Sequence, residues 1–92
     1  MNDPTKLLDL LETVDALDIP DQVDNILKEP ADLIQSIINC ANEVLIDANG
    51  KNVWGNHEFL EGYGFSVFPG EVDGFGWLSG CIQTKKGIIV YG

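Results

Sequence analysis

PADLIQSIINCANEVLID, residues 30–47, is the stretch whose reading decides the fold of this chain. Leu33, Ile34, Ile37, Ile38, Ala41, Val44 and Leu45 recur at steps of three and four, which places them on one face of a helix. Pro30 suits a first helical turn, where its missing N–H is not needed, and Asn49-Gly50 supplies a positive-φ residue just past the end. The spacing predicts a helix over residues 31–47. An apolar stripe this wide is worth roughly 1.5–3 kcal/mol per fully buried Leu or Ile, so the flanking segments are expected to cover it.

Upstream, Asn2 or Asp3 can cap a helix over residues 4–17, with Pro4 in its first turn and Leu7, Leu10, Leu11, Val14 and Leu17 on one side. Ile19-Pro20 breaks it. A shorter helix over residues 20–28 is expected to follow, with Val23, Ile26 and Leu27 as its apolar contacts, ended by Pro30. Downstream of Gly50 the helical period stops and Gly, Trp, Phe and Tyr become frequent. Residues 56–62 have the length of one helical turn stopped by glycine. Period-two alternation then predicts strands over residues 62–68, 75–84 and 88–91, with Gly87 in a left-handed hairpin position. The fold class read from this order is α+β: three N-terminal helices, then a three-stranded antiparallel β-meander packed on the central helix, in one domain spanning residues 1–92.

Composition narrows the function classes. The chain has 92 residues, 45% of them hydrophobic, with fifteen acids against five lysines and a net charge of −10. Such a chain repels nucleic acid and anionic membranes and is drawn towards basic partners. It has no apolar run long enough to span a membrane, and Asn2-Asp3-Pro4 stands where a signal peptide would carry basic and apolar residues. Cys40 and Cys81 are isolated, as in a reducing compartment. A cytoplasmic chain with buried, unpaired thiols is the expectation.

The residues for catalysis are sparse. His57, beside Glu58, is the sole histidine, and a nucleophile would need its base within about 3 Å and a third, orienting group. We expect a loop or surface histidine with no catalytic role, and no metal site, because Cys40, His57 and Cys81 lack the close pairing of zinc ligands. Residues 47–52 resemble a calcium loop, but Lys51 takes an oxygen-ligand position and no distal bidentate Glu follows. No phosphate-binding loop precedes a helix, and no cofactor is expected. Gly64, Gly76 and Gly80, at alternate strand positions, would flatten one sheet face and are secondary candidates for a partner-facing surface.

Eleven of the fifteen acids precede Gly50, against only Lys6 and Lys28, giving −9 there and −1 in the rest. From Asp9 to Asp24 a carboxylate recurs at every third residue. On a helix such neighbours lie about 5–6 Å apart, a spacing comparable to that of phosphates along a nucleic-acid strand. Glu12, Asp15, Asp18, Asp21 and Asp24 are therefore the candidate partner-binding residues, and solvation alone is the competing reading.

The order of three helices and a hairpin is similar to winged-helix DNA-binding domains, but the third expected helix carries Asp32, Glu43 and Asp47 and no basic residue. In size, acidity and want of catalytic residues the chain resembles inhibitors made by phages and other mobile elements against restriction or CRISPR-type nucleases. That resemblance implies a nucleic-acid mimic docking on the basic surface of a nucleic-acid-handling protein, with no direct contact to nucleic acid. Alternatives are an immunity protein for a basic toxin nuclease, an oligomeric structural subunit that buries its sheet face, and a small enzyme using His57 and Glu58.

Overall fold

In the computed structural model, residues 3–21, 24–68, 72–73, 76–77 and 80–92 are described. They form three helices, α1 (Pro4–Asp15), α2 (Ala31–Val44) and α3 (Trp54–Glu61). Five strands follow: β1 (Ser66–Phe68), β2 (Val72–Asp73), β3 (Gly76–Trp77), β4 (Gly80–Gln83) and β5 (Ile88–Tyr91). β1, β4 and β5 make an antiparallel sheet in that order, and β2 and β3 pair as a separate two-stranded ribbon between β1 and β4. The class is α+β, as the periodicities predict.

The central stripe behaves as read. Ile34, Ile37, Ala41, Val44 and Leu45 are buried, Leu33 and Ile38 are half-buried, and Cys40 joins the core. α1 lies against one side of α2 and β5 against another, while α3 touches β1 and α1. α2 starts at Ala31, with Pro30 as its extended N-cap whose carbonyl accepts the Ile34 N–H at 3.0 Å, and ends at Val44, three residues short of the expected end at 47. α1 is capped by Asp3, whose carboxylate accepts from the Thr5 N–H at 2.9 Å and hydroxyl at 2.6 Å. Those bonds hold the Asp3 carboxyl below the usual range. α1 buries Leu7, Leu8, Leu11 and Val14 and stops at Asp15, two residues short of the expected end.

The expected helix over 20–28 does not form among the described residues. Ile26 instead makes a parallel bridge to Ile88 on the free edge of β5. The Leu27 N–H donates to the Ile88 carbonyl at 2.7 Å and the Ile88 N–H to the Asn25 carbonyl at 2.8 Å. Two turns with three apolar contacts are too short a helix to be stable alone. Pairing with β5 satisfies backbone groups that an open edge leaves bare and buries Leu27.

The third helix is α3, eight residues where the sequence suggested one turn. The strand expected over 62–68 is reduced to β1, because Gly62 ends α3 and Gly64, at φ +95°, turns the chain into Phe65. The strand expected over 75–84 is two, β3 and β4, and Phe75 lies outside the described residues. On the inner sheet face Val67, Ile82 and Ile89 align across three strands, and Gly80 stands opposite the buried Tyr91. No helix among the described residues is long and apolar enough to cross a membrane.

Gly87 closes the β4–β5 turn at φ +152°, not in the left-handed helical position. A Cβ there would stand 2.8 Å from the Asn25 carbonyl oxygen and from Leu27 Cγ. Gly87→Ala is therefore expected to lower stability by about 1–3 kcal/mol. Gly55→Ala, in α3 with nothing within 4 Å of the added methyl, should raise it by up to about 1 kcal/mol. Urea unfolding midpoints of the two variants check both signs.

Candidate functional site

The five candidate acids do not share one helix. Glu12 and Asp15 stand in the last turn of α1, and Asp18, Asp21 and Asp24 follow in non-helical chain. Glu12, Asp18, Asp21 and Asp24 are exposed and Asp15 is half-buried. The structure divides their roles. Asp15 Oδ1 accepts the Lys85 backbone N–H at 2.9 Å, and Asp21 Oδ1 pairs with Lys86 Nζ at 3.0 Å. Lys86 Nζ also donates to the Ile19 carbonyl at 2.9 Å, with its side chain only 14% exposed. The β4–β5 turn is thus seated on the acidic segment. Two of the five acids are engaged in the fold, and Glu12, Asp18 and Asp24 have no partner among the described residues.

The charge asymmetry along the sequence is therefore partly undone in space, since Lys85 and Lys86 of the second half lie against acids of the first. Their turn is preorganised. Thr84 Oγ1 accepts the Lys86 and Gly87 N–H groups at 3.1 Å and donates to the Gly87 carbonyl at 2.8 Å.

Beside these acids, a hollow of about 340 Å³ opens between the end of α1 and the turn from α3 to β1. Glu12, Asp15 and Ala16 line one side, and Tyr63, Gly64 and Phe65 the other, with Lys85 at the margin. Phe65 is buried, whereas Tyr63 is 59% exposed and its ring packs tilted against Phe59, with centroids 5.1 Å apart. The strand expected over residues 62–68 would put Tyr63 on one face with Phe65 and Val67. The Gly62–Gly64 turn takes it out of that phase and leaves the ring in solvent.

The three candidate glycines do not make one strand face. Gly64 is in the α3–β1 turn, Gly76 is in the β2–β3 ribbon and Gly80 is buried in β4.

His57 corrects the expectation of a loop or surface histidine: it is 1% exposed, inside α3. A carbonyl can only accept, so Nε2 carries the proton and donates to Leu45 at 3.2 Å. Nδ1 has no partner among the described residues, and the Trp54 ring lies 5.1 Å away. Burial holds the imidazole below the usual histidine range, against the opposing pull of the Leu45 carbonyl and Glu61. Glu58 is exposed, so the two neighbours occupy different environments. Asn56 reaches back in the same way, its side-chain amide donating to the Val44 carbonyl. Asp47, in the segment resembling a calcium loop, spends Oδ1 on the N–H groups of Asn49 at 2.8 Å and Lys51 at 2.9 Å. Cys40 and Cys81 are free thiols, the first buried and thereby raised in pKa. Among the described residues no group of three or more His, Cys, Asp or Glu could hold a metal ion.

No protein-family model matches this chain, and neither a curated protein nor a solved structure matches it.

Two outcomes follow from these contacts. The folded state holds His57 neutral, so unfolding takes up a proton below the ordinary pKa. The stability linked to it is whole above about pH 6.5 and is lost as pH falls through the lowered folded value, at no more than about 1.4 kcal/mol per pH unit. Relative to His57→Gln, which keeps an N–H for Leu45, the parent protein should lose stability between about pH 7 and pH 5. Urea titrations at each pH measure the difference, and a flat difference would contradict the assignment. Lys86→Met should cost about 1–3 kcal/mol, because it leaves the Ile19 carbonyl without its donor and Asp21 without its counter-ion. Asp21→Asn, on the exposed side of the pair, should cost less than about 1 kcal/mol.

Proposed function

We propose that this chain is a small acidic binding protein that docks on the basic surface of a nucleic-acid-handling protein. It presents carboxylates where that surface expects phosphates, as inhibitors of the anti-restriction or anti-CRISPR type do. The observation that carries the reading is the state of Glu12, Asp18 and Asp24. Their carboxylates are exposed and unpartnered among the described residues, at the end of α1 and in the chain that follows, while Leu11, Val14 and Leu27 nearby in sequence are buried. Like charges left bare repel one another by a few tenths of a kcal/mol per helical pair. A cationic partner relieves that repulsion. Fields from a chain of net charge −10 also speed and orient encounter with such a partner.

The exposed Tyr63 beside Glu12 favours a second form of the same class, an immunity protein that plugs the cleft of a basic toxin nuclease. Aromatic side chains next to charged ones are frequent anchors in such interfaces.

The neutralised triple variant Glu12→Gln, Asp18→Asn, Asp24→Asn spares Asp15 and Asp21, which the fold uses. It should lose at least about tenfold in affinity for the protein partner, while Glu58→Gln with Glu61→Gln loses little. Binding should weaken steeply towards about 0.5 M salt, where the Debye length falls to about 4 Å, and DNA should compete for the partner. Tagged protein, its co-purifying partner and a titration of each variant at two salt concentrations provide the measurement. Equal affinities for the two variants, or salt-independent binding, would overturn the proposal.

A further inference from the structure

The hollow between α1 and the α3–β1 turn has more chemistry than bare acidity. α1 ends there, and the carbonyl end of a helix carries partial negative charge that a Lys or Arg in the last turn ordinarily offsets. The last turn of α1 has no basic residue and holds Glu12 and Asp15 instead. Asp15 engages one oxygen with the Lys85 N–H, and Glu12 engages neither of its own among the described residues. Facing them is the Tyr63 ring, 59% exposed and braced against Phe59. At Gly64 a Cβ would meet nothing within 4 Å, so the hollow stays open on that side. A volume of about 340 Å³ is at the small end for ligand pockets, which run from about 300 to 1,000 Å³.

We propose that this hollow seats one arginine side chain of a basic protein partner, the guanidinium stacked on Tyr63 and forked onto the Glu12 carboxylate. The inference rests on the docking reading above and names the group that is recognised. Charge complementarity selects a cation, and the aromatic wall selects among cations. A planar guanidinium can stack on a ring and donate two parallel N–H bonds to a carboxylate, whereas an ammonium is a compact, strongly hydrated point charge. Lys85 stands at the margin of the same hollow. Its charge, in no ion pair among the described residues, repels an incoming arginine.

The test titrates the ¹⁵N-labelled full chain with a tetra-arginine peptide and, separately, with tetra-lysine at low salt. Tetra-arginine should shift amides of residues 12–16 and 63–65 most and bind more tightly than tetra-lysine. Tyr63→Ala should weaken tetra-arginine about three- to tenfold and leave tetra-lysine unchanged, while Tyr63→Phe keeps the preference. Lys85→Gln, which retains the backbone N–H to Asp15, should tighten tetra-arginine. Shifts spread evenly over all acidic segments, equal binding of the two peptides, or indifference to Tyr63→Ala would overturn the arginine seat. The broader docking reading would survive such a result, because salt dependence and DNA competition with the protein partner decide it separately.

Discussion

A helix that ends inside a core must do something with its last carbonyl groups, and at the end of α2 that requirement shapes the middle of the molecule. The Val44 and Leu45 carbonyls lie at the edge of a core where neither residue's side chain sees water, and an unmet polar group there costs about 1–3 kcal/mol. The chain meets them with its own next segment. The Asp47 carboxylate folds residues 47–51 into a reversal, with Gly50 at φ +78°. The Val53 N–H and His57 Nε2 then reach Leu45, and Asn56 reaches Val44. α3 exists where it does because its polar residues finish α2. Its apolar Leu60, fully buried, fixes the other side of the same short helix.

The second tie is made across the whole chain. Residues 25–27 join the edge of β5 by backbone hydrogen bonds, and the Thr84–Gly87 turn takes hold of Asp15, Ile19 and Asp21. The acidic connection after α1 would otherwise repel itself into extended chain. Instead it is fastened at Asp15, Ile19 and Asp21 and again at residues 25–27, with Asp18 and Asp24 left among these ties and Glu12 just ahead of them. Engaged and unpartnered carboxylates thus alternate along one charged segment.

How far the sequence carried the reading depends on where the partners of each residue lie. The α2 stripe and the Asp3-Pro4 start of α1 were legible because their determinants are local: spacing on a helix, a capping carboxylate, a proline that needs no N–H. The stretch after Pro20 was not. Val23, outside the described residues, Ile26 and Leu27 have helical spacing, but the competitor for Ile26 and Leu27 was the edge of a strand about sixty positions away, which no local pattern announces. His57 failed for the same reason, its environment being set by Leu45 and Trp54 rather than by its neighbour Glu58. Of the candidate site, the acids themselves were legible from charge. Which of them were already engaged by Lys85 and Lys86, and that Tyr63 would join Glu12 across a hollow, depended on tertiary contacts.

The Lys85–Lys86 turn grips residues sixty-five and seventy positions upstream, and this sets an order of events during synthesis. A nascent chain that has emerged through α1 and α2 already carries most of the negative charge, yet the long-range ties of Asp15, Ile19 and Asp21 wait for the β4–β5 hairpin. Contacts of such long range close late. On a ribosome, the seating of Asp15, Ile19 and Asp21 on this turn would come only after β5 had emerged.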